Sequence, residues 1–324
     1  MAKAGGKALL GTYSGTPHGG FVCQEVRARR SSQTVLEVRR TEGGAVAAYA
    51  LDEASAGHQV TPDGSVVYVL TGGTTGKTGI LRRLLAIRPE ERRVREIAVS
   101  TSALPAVDDR HVAYFTETAI IVETHDGARV LEQGLGPLAP TQGSGGHACA
   151  LLPNHRLAVS RGHRGAEKIA DLTVLNLTDG REEQNIELPA VSFFGVFAPV
   201  ALRADPQGRL VAILGFHAGL LLVDLATGRD VADLYPPDPL DLADGRPTTH
   251  AHHTYSDLAF DRSGNRLAAA YRPGRLSVWA RDGAALRREG VSINPKASRI
   301  VTFDESHAAF FDSMGASARF ELAT

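Results

Sequence analysis

The chain has 324 residues, 43% of them hydrophobic, enough to build a large buried core. Its 35 basic and 36 acidic residues leave a net charge of −1, which excludes a bulk electrostatic attraction to nucleic acid. The two cysteines, Cys23 and Cys149, show neither disulfide nor metal-ligand spacing, the pattern of a reducing cytoplasm. The first residues lack the apolar run of a signal peptide, and no stretch approaches the ~18 consecutive apolar residues of a membrane span. Richness in Ala, Arg and Gly suggests a high-GC bacterial gene.

Residues 7–54 hold four β-like runs, at 8–13, 21–27, 34–40 and 45–51. A second unit, about 57–100, opens on the turn Thr61-Pro-Asp-Gly64. A third, about 101–135, has inner strands at 111–115 and 119–123. A fourth covers about 145–190, a fifth 195–235, a sixth 252–290 and a seventh 291–322. The sixth is the clearest. Its apolar runs at 255–260, 266–271 and 275–280 are separated by Arg262-Ser-Gly264 and Arg272-Pro-Gly274 and closed by Asp282-Gly283. Short runs joined by Gly, Pro and Asp turns form an antiparallel meander. One meander alone cannot bury its faces, so the copies must stack. Between the fifth and sixth units, residues 236–247 carry four prolines and three acids. That segment is an exposed loop, either functional or a tolerated insertion.

The turns of the Pro-Asp-Gly type, the strand ends LSVWARDG and LLLVDLATG, and His253 seven residues before Phe260 resemble the WD-repeat family and its degenerate relatives. The resemblance covers most of residues 57–324 and implies an all-β, seven-bladed β-propeller of four-stranded antiparallel blades, one domain over 1–324. A propeller is a rigid disc with a central channel and two loop faces. The absence of a complete catalytic motif, with the near-zero charge and the acidic proline loop, points to a non-enzymatic scaffold or sensor subunit that binds partner proteins.

Several stretches carry candidate chemistry. Residues 69–78, VLTGGTTGKT, look like a phosphate-binding loop, but the glycine required five residues before Gly-Lys is Thr71. A Gly/Thr-rich hairpin between two strands is the competing reading. Gly-x-Ser-x-Gly is absent, and Cys149 lies on an apolar strand as a core residue. The histidines repeat: His58, His147 and His253 precede the first strand of their units, and His163 and His217 fall between second and third strands. In a propeller these loops open on one face, which Arg161, Arg164, Arg272 and Arg275 would share. Such a face could bind a small anion or a metal. His250, His252 and His253 are the densest cluster, and zinc is the metal they would suit. Otherwise no cofactor is expected, and the histidines are structural or solvated. In WD-repeat relatives the histidine that opens a blade is structural.

A second resemblance is to the bacterial lactonase-type propellers (phosphogluconolactonase-like). It rests on Leu9-Leu-Gly-Thr-Tyr-Ser-Gly15 with Gly19-Gly-Phe-Val-Cys23, and on Gly143-Ser-Gly-Gly-His-Ala-Cys149 with Arg156-Leu-Ala-Val-Ser160. It implies a sugar-lactone pocket lined by His147, His58 and Arg161. Finally, arginines cluster at Arg27, Arg29, Arg30, Arg39 and Arg40, at Arg82, Arg83, Arg92, Arg93 and Arg95, and at Arg287 with Arg288, with acids interleaved and no aromatic residues among them. They form a solvated rim, or a charged docking edge for a protein. Nucleic acid is disfavoured because stacking residues are missing.

Overall fold

The computed structural model of the chain describes residues 7–15, 20–28, 33–40, 44–52, 55–71, 74–76, 79–99, 104–116, 118–135, 147–162, 170–188, 199–215, 220–233, 255–271, 275–282, 285–288, 291–292, 297–303, 307–312 and 317–321. All the regular structure among the described residues is β. The first sheet contains β1 (Lys7–Gly15), β2 (Phe21–Ala28), β3 (Thr34–Arg40) and β4 (Ala45–Leu51) in that order. The second contains β5 (Ser55–Val60), β6 (Val67–Thr71), β7 (Thr74–Gly76), β8 (Gly79–Arg88) and β9 (Arg93–Val99). The third runs β10 (Ala106–Val107), β11 (His111–Phe115), β12 (Ala119–Thr124), β13 (Arg129–Gly134). The fourth runs β14 (His147–Leu152), β15 (Arg156–Gly162), β16 (Ala170–Asn176), β17 (Glu182–Glu187). The fifth runs β18 (Pro199–Ala204), β19 (Leu210–Gly215), β20 (Leu220–Asp224), β21 (Arg229–Asp233). The sixth has β22 (Tyr255–Phe260), β23 (Arg266–Tyr271), β24 (Arg275–Asp282), β25 (Ala285–Arg288) and β26 (Val291–Ser292). The last has β27 (Ala297–Phe303), β28 (His307–Asp312) and β29 (Ser317–Glu321).

Every pairing is antiparallel between neighbours in sequence or nearly so, as tight turns demand. Four strands per sheet is the expectation, and it needs adjusting at three sheets. The second gains the short hairpin strand β7, the sixth gains β26, and the last shows three strands among the described residues. The phosphate-loop reading fails here. Residues 80–87 belong to the long strand β8, which folds back on β7 with Gly76 opposite Gly79. No helix follows the glycines to supply the N–H cradle.

The first strands of consecutive sheets touch in a closed cycle. β1 meets β5, β5 meets β10, and contacts continue through β14, β18, β22 and β27 back to β1. β1 therefore opens the first sheet and also closes the ring against β27.

The core lies in layers between successive sheets. β19 shows why. Its Val211 and Ile213 pack with Leu172 and Val174 of the fourth sheet, while Leu210, Ala212 and Leu214 pack with Leu258, Leu267 and Trp279 of the sixth. Both faces of an inner strand are covered, so the strand reads as an unbroken apolar run instead of an alternation. Similar layers join the first sheet to the second, the second to the third and the third to the fourth.

Three turns between first and second strands, those of the second, fifth and sixth sheets, share one construction. A buried polar residue opens each: Thr61, Asp205 or Asp261. Asp205 Oδ1 accepts the N–H groups of Arg209 (2.6 Å) and Leu210 (2.8 Å), and Asp261 Oδ1 accepts those of Asn265 (2.9 Å) and Arg266 (3.1 Å). Three residues on, Gly64, Gly208 and Gly264 take φ of 74°, 65° and 70°, which costs a residue with a Cβ about 1–2 kcal/mol. The missing Cβ also admits the neighbouring sheet. A Cβ on Gly208 would lie 2.9 Å from Pro153, and one on Gly264 would strike the Gln207 side chain, whose Nε2 donates to Ser263 O (2.7 Å).

Candidate functional site

The histidine-rich face is only partly described. His58 does not precede its strand; it is the fourth residue of β5, opposite Val69. The turn sets the register, and at three residues before the turn's first residue His58 occupies the place that Leu202 and Leu258 hold in their sheets. It is fully buried, its Nε2 donates to Cys23 O (3.1 Å), and Nδ1 lies 3.8 Å from Glu25 Oε1. The ring thus joins the first sheet to the second and has no access to a ligand. His147 opens β14, with its Cα opposite Arg161 of β15, and Arg161 in turn faces Asp171 of β16. Arg275 opens β24 opposite Tyr271. The side chains of His147, Arg161 and Arg275 lie outside the described residues, as do His163, Arg164, His217, His250, His252, His253 and Arg272 altogether. Among the described residues no group of three or more His, Cys, Asp or Glu side chains could hold a metal ion. Burial pushes the Cys149 thiol up to about 12, so it is a core group and not a nucleophile.

The described chemistry gathers on the opposite face, which carries the turns between first and second and between third and fourth strands. A cleft of about 80 Å³ opens there between the second and third sheets. Val66 and Ala86 form its floor, Arg88, Arg93, Val94 and Arg95 one wall, and His125 and Asp126 the other. The hairpin β8–β9 positions the arginines, with Arg88 directly opposite Arg93 and Ala86 opposite Arg95. Like charges facing across strands repel. Glu91 in the intervening turn relieves this, lying 3.6 Å from Arg88 and 3.5 Å from Arg93. Asp126 of the third sheet takes the other side of Arg88 at 2.5 Å. Val94 is 43% exposed, one of two large apolar side chains so exposed among the described residues.

Beneath the arginines lies a buried carboxylate. Glu123 on β12 accepts Arg95 Nη1 (2.6 Å) and the Tyr114 hydroxyl (3.0 Å), with Arg129 Nη2 at 3.2 Å. Such a charge survives burial only because it is paired and hydrogen-bonded. Burial and the Glu123 carboxylate together raise the Tyr114 phenol well above its ordinary value. Arg95 spends Nη1 on Glu123, but its Nη2 is buried without a partner among the described residues. Gly127, at φ 93°, leaves room for this guanidinium; a Cβ there would lie 3.0 Å from Nη1.

His125 locks the far wall. Its Nε2 lies 3.2 Å from the Asp108 carbonyl, which can only accept, so Nε2 carries the proton. Nδ1 then accepts the Tyr68 hydroxyl at 2.9 Å. Burial lowers the His125 pKa below the usual imidazole value, and the neutral ring is the form that fits this pair of bonds. Sequence reading flagged Arg92, Arg93 and Arg95 as part of a possible docking edge. It missed Arg88, Glu123, His125 and Asp126, whose only signal was position in turns that the repeat register brings beside β9.

No protein-family model matches the sequence, and no curated protein matches it. Solved structures do resemble the fold. Hsv2 of Kluyveromyces lactis superimposes with a TM-score of 0.64 at 9% identity, over 98% of this chain and 94% of the other. KlAtg21, solved in a complex with the coiled coil of AgAtg16, gives 0.69 at 12% identity over 98% and 95%. A chain of the mitotic checkpoint complex gives 0.60 at 13% identity over 97% and 90%. At these identities the likeness speaks to fold alone. The chain has the fold of a WD-repeat-type β-propeller. Nothing in these likenesses supports the lactonase resemblance.

Proposed function

We propose that the chain is a seven-bladed propeller over residues 1–324, one sheet per blade, and that it serves as a non-enzymatic docking module for a partner protein. The observation that carries this reading is the Arg95 Nη2, unsatisfied among the described residues, in a cleft that also exposes Val94 between arginines. A buried donor left unpaired costs about 1–3 kcal/mol. An incoming carboxylate or main-chain carbonyl would recover that cost, while an aliphatic side chain covers Val94. Its described lining holds no Ser, Thr or Cys and no cluster of three metal-ligating side chains, which favours binding over turnover. The fold likeness agrees with the reading, since KlAtg21 and the checkpoint chain were both solved in protein assemblies.

The test is capture of the partner by three purified variants. Arg93→Glu and Val94→Ser alter exposed cleft residues. Glu187→Lys alters an exposed position on the fourth sheet. Capture falls about tenfold or more in the first two and is unchanged in the third, as removal of a contact-centre residue requires. Equal capture by all three would refute the assignment.

A further inference from the structure

Outer strands of the sheets differ in one respect. β9 reads RVREIAV, β13 RVLEQG, β17 EEQNIE, β21 RDVAD, β25 ALRR and β29 SARFE. Each carries charge. The outer strand of the first sheet, β4, reads AVAAYAL and carries none. An outer strand presents a row of unpaired N–H and C=O groups, and charged side chains are the usual guard against addition of another strand. β4 pairs with β3 along one edge and with no strand along the other among the described residues. Ala47, Tyr49 and Leu51 anchor it to the core between the first two sheets. Val46, Ala48 and Ala50 are exposed on its other side. Small side chains there let a second backbone approach to the ~4.8 Å spacing of paired strands.

We propose that β4 is the seam of a homodimer, in which β4 pairs antiparallel with β4 of a second copy about a two-fold axis through Ala48. The charge pattern selects a second copy as the occupant. That axis sets Ala45 opposite Leu51, Val46 opposite Ala50 and Ala47 opposite Tyr49, so no like charges meet. The same operation on β17 would set Glu182 against Glu187. One residue past the strand, exposed Asp52 would lie opposite Gly44 of the second copy. Gly44 is bonded through its carbonyl to the N–H of Arg40 (3.2 Å), and Arg40 is exposed. Opposite charges therefore come together at both ends of the seam. The isologous geometry closes after two copies, leaving no free β4 edge.

The experiment is sedimentation of the full chain from about 1 µM to 1 mM, with the Ala48→Lys and Ala48→Glu variants alone and mixed. Wild type is expected to reach twice its 34.4 kDa mass. Each variant alone places like charges on the axis and weakens association by at least about tenfold. An equal mixture of the two sets Lys against Glu and restores the dimer. Asp52→Arg should weaken the dimer, and adding Arg40→Asp should rescue it. Far-ultraviolet circular dichroism checks that exposed Ala48 has tolerated its replacements. A chain that stays monomeric throughout, an Ala48→Lys protein that dimerises like wild type, or a mixture that stays monomeric would each overturn the proposal. Capture of a different protein on β4 by a monomeric chain would overturn it too.

Discussion

Glu123 and His125 show how single residues carry the cleft. The Glu123 carboxylate is nearly enclosed, yet three donors from β9, β11 and β13 converge on it. Glu123→Gln removes the charge that holds Arg95 and Arg129. The arginines are partly exposed, which softens the loss, so a destabilisation of about 2 kcal/mol is expected in urea unfolding. An unchanged midpoint would mean the pair is worth nothing. His125 makes the fold pH-dependent in a defined direction. Its folded pKa lies below the roughly 6.5 of an unfolded histidine. Between those two values the unfolded chain binds more protons, so stability is complete above about pH 6.5 and is lost as pH falls through the folded value. The drop in unfolding midpoint between about pH 7.5 and 5.5 should be smaller in His125→Gln than in wild type. The sequence showed His125 and Asp126 only as part of a turn. Their contact with Arg88 joins residues far apart in the chain, and nothing local encodes it.

The repeated turn is the element that was most legible. Thr61-Pro-Asp-Gly64, Asp205-Pro-Gln-Gly208 and Asp261-Arg-Ser-Gly264 share a spacing because a buried acceptor must meet the N–H groups past the turn, one at Thr61 and two at each aspartate, while a left-handed residue closes the loop. Asp205→Ala strips the acceptor from one buried and one part-buried N–H group and should cost about 2 kcal/mol. Gly264→Ala forces a Cβ into φ 70° and against Gln207, and should cost at least about 1–2 kcal/mol. Both are read from thermal or urea midpoints, and a neutral result for either removes the turn from the ring's support. Strand faces were harder to read. Inner strands such as β19 are buried on both sides, so periodicity could not say which residues face which neighbour. For the same reason His58, placed before its strand from sequence, sits within it.

At the scale of the whole molecule, the sequence offered repeat spacing but not closure. Contact of β1 with both β5 and β27 is what makes the array a ring. The histidine-rich face was the obvious place to look for chemistry, because histidine and arginine are conspicuous in sequence. The described site is on the other face, built from arginines that looked like a solvated rim. A donor unpaired among the described residues and an exposed valine distinguish that cleft, and both depend on packing between sheets. The most direct measurement places a photo-crosslinking amino acid at position 94 of the otherwise intact chain, with position 133 on exposed β13 as control. The account predicts one discrete crosslinked partner from position 94, lost on adding Arg93→Glu and absent from position 133. No crosslink at 94, or the same products from both positions, would contradict it.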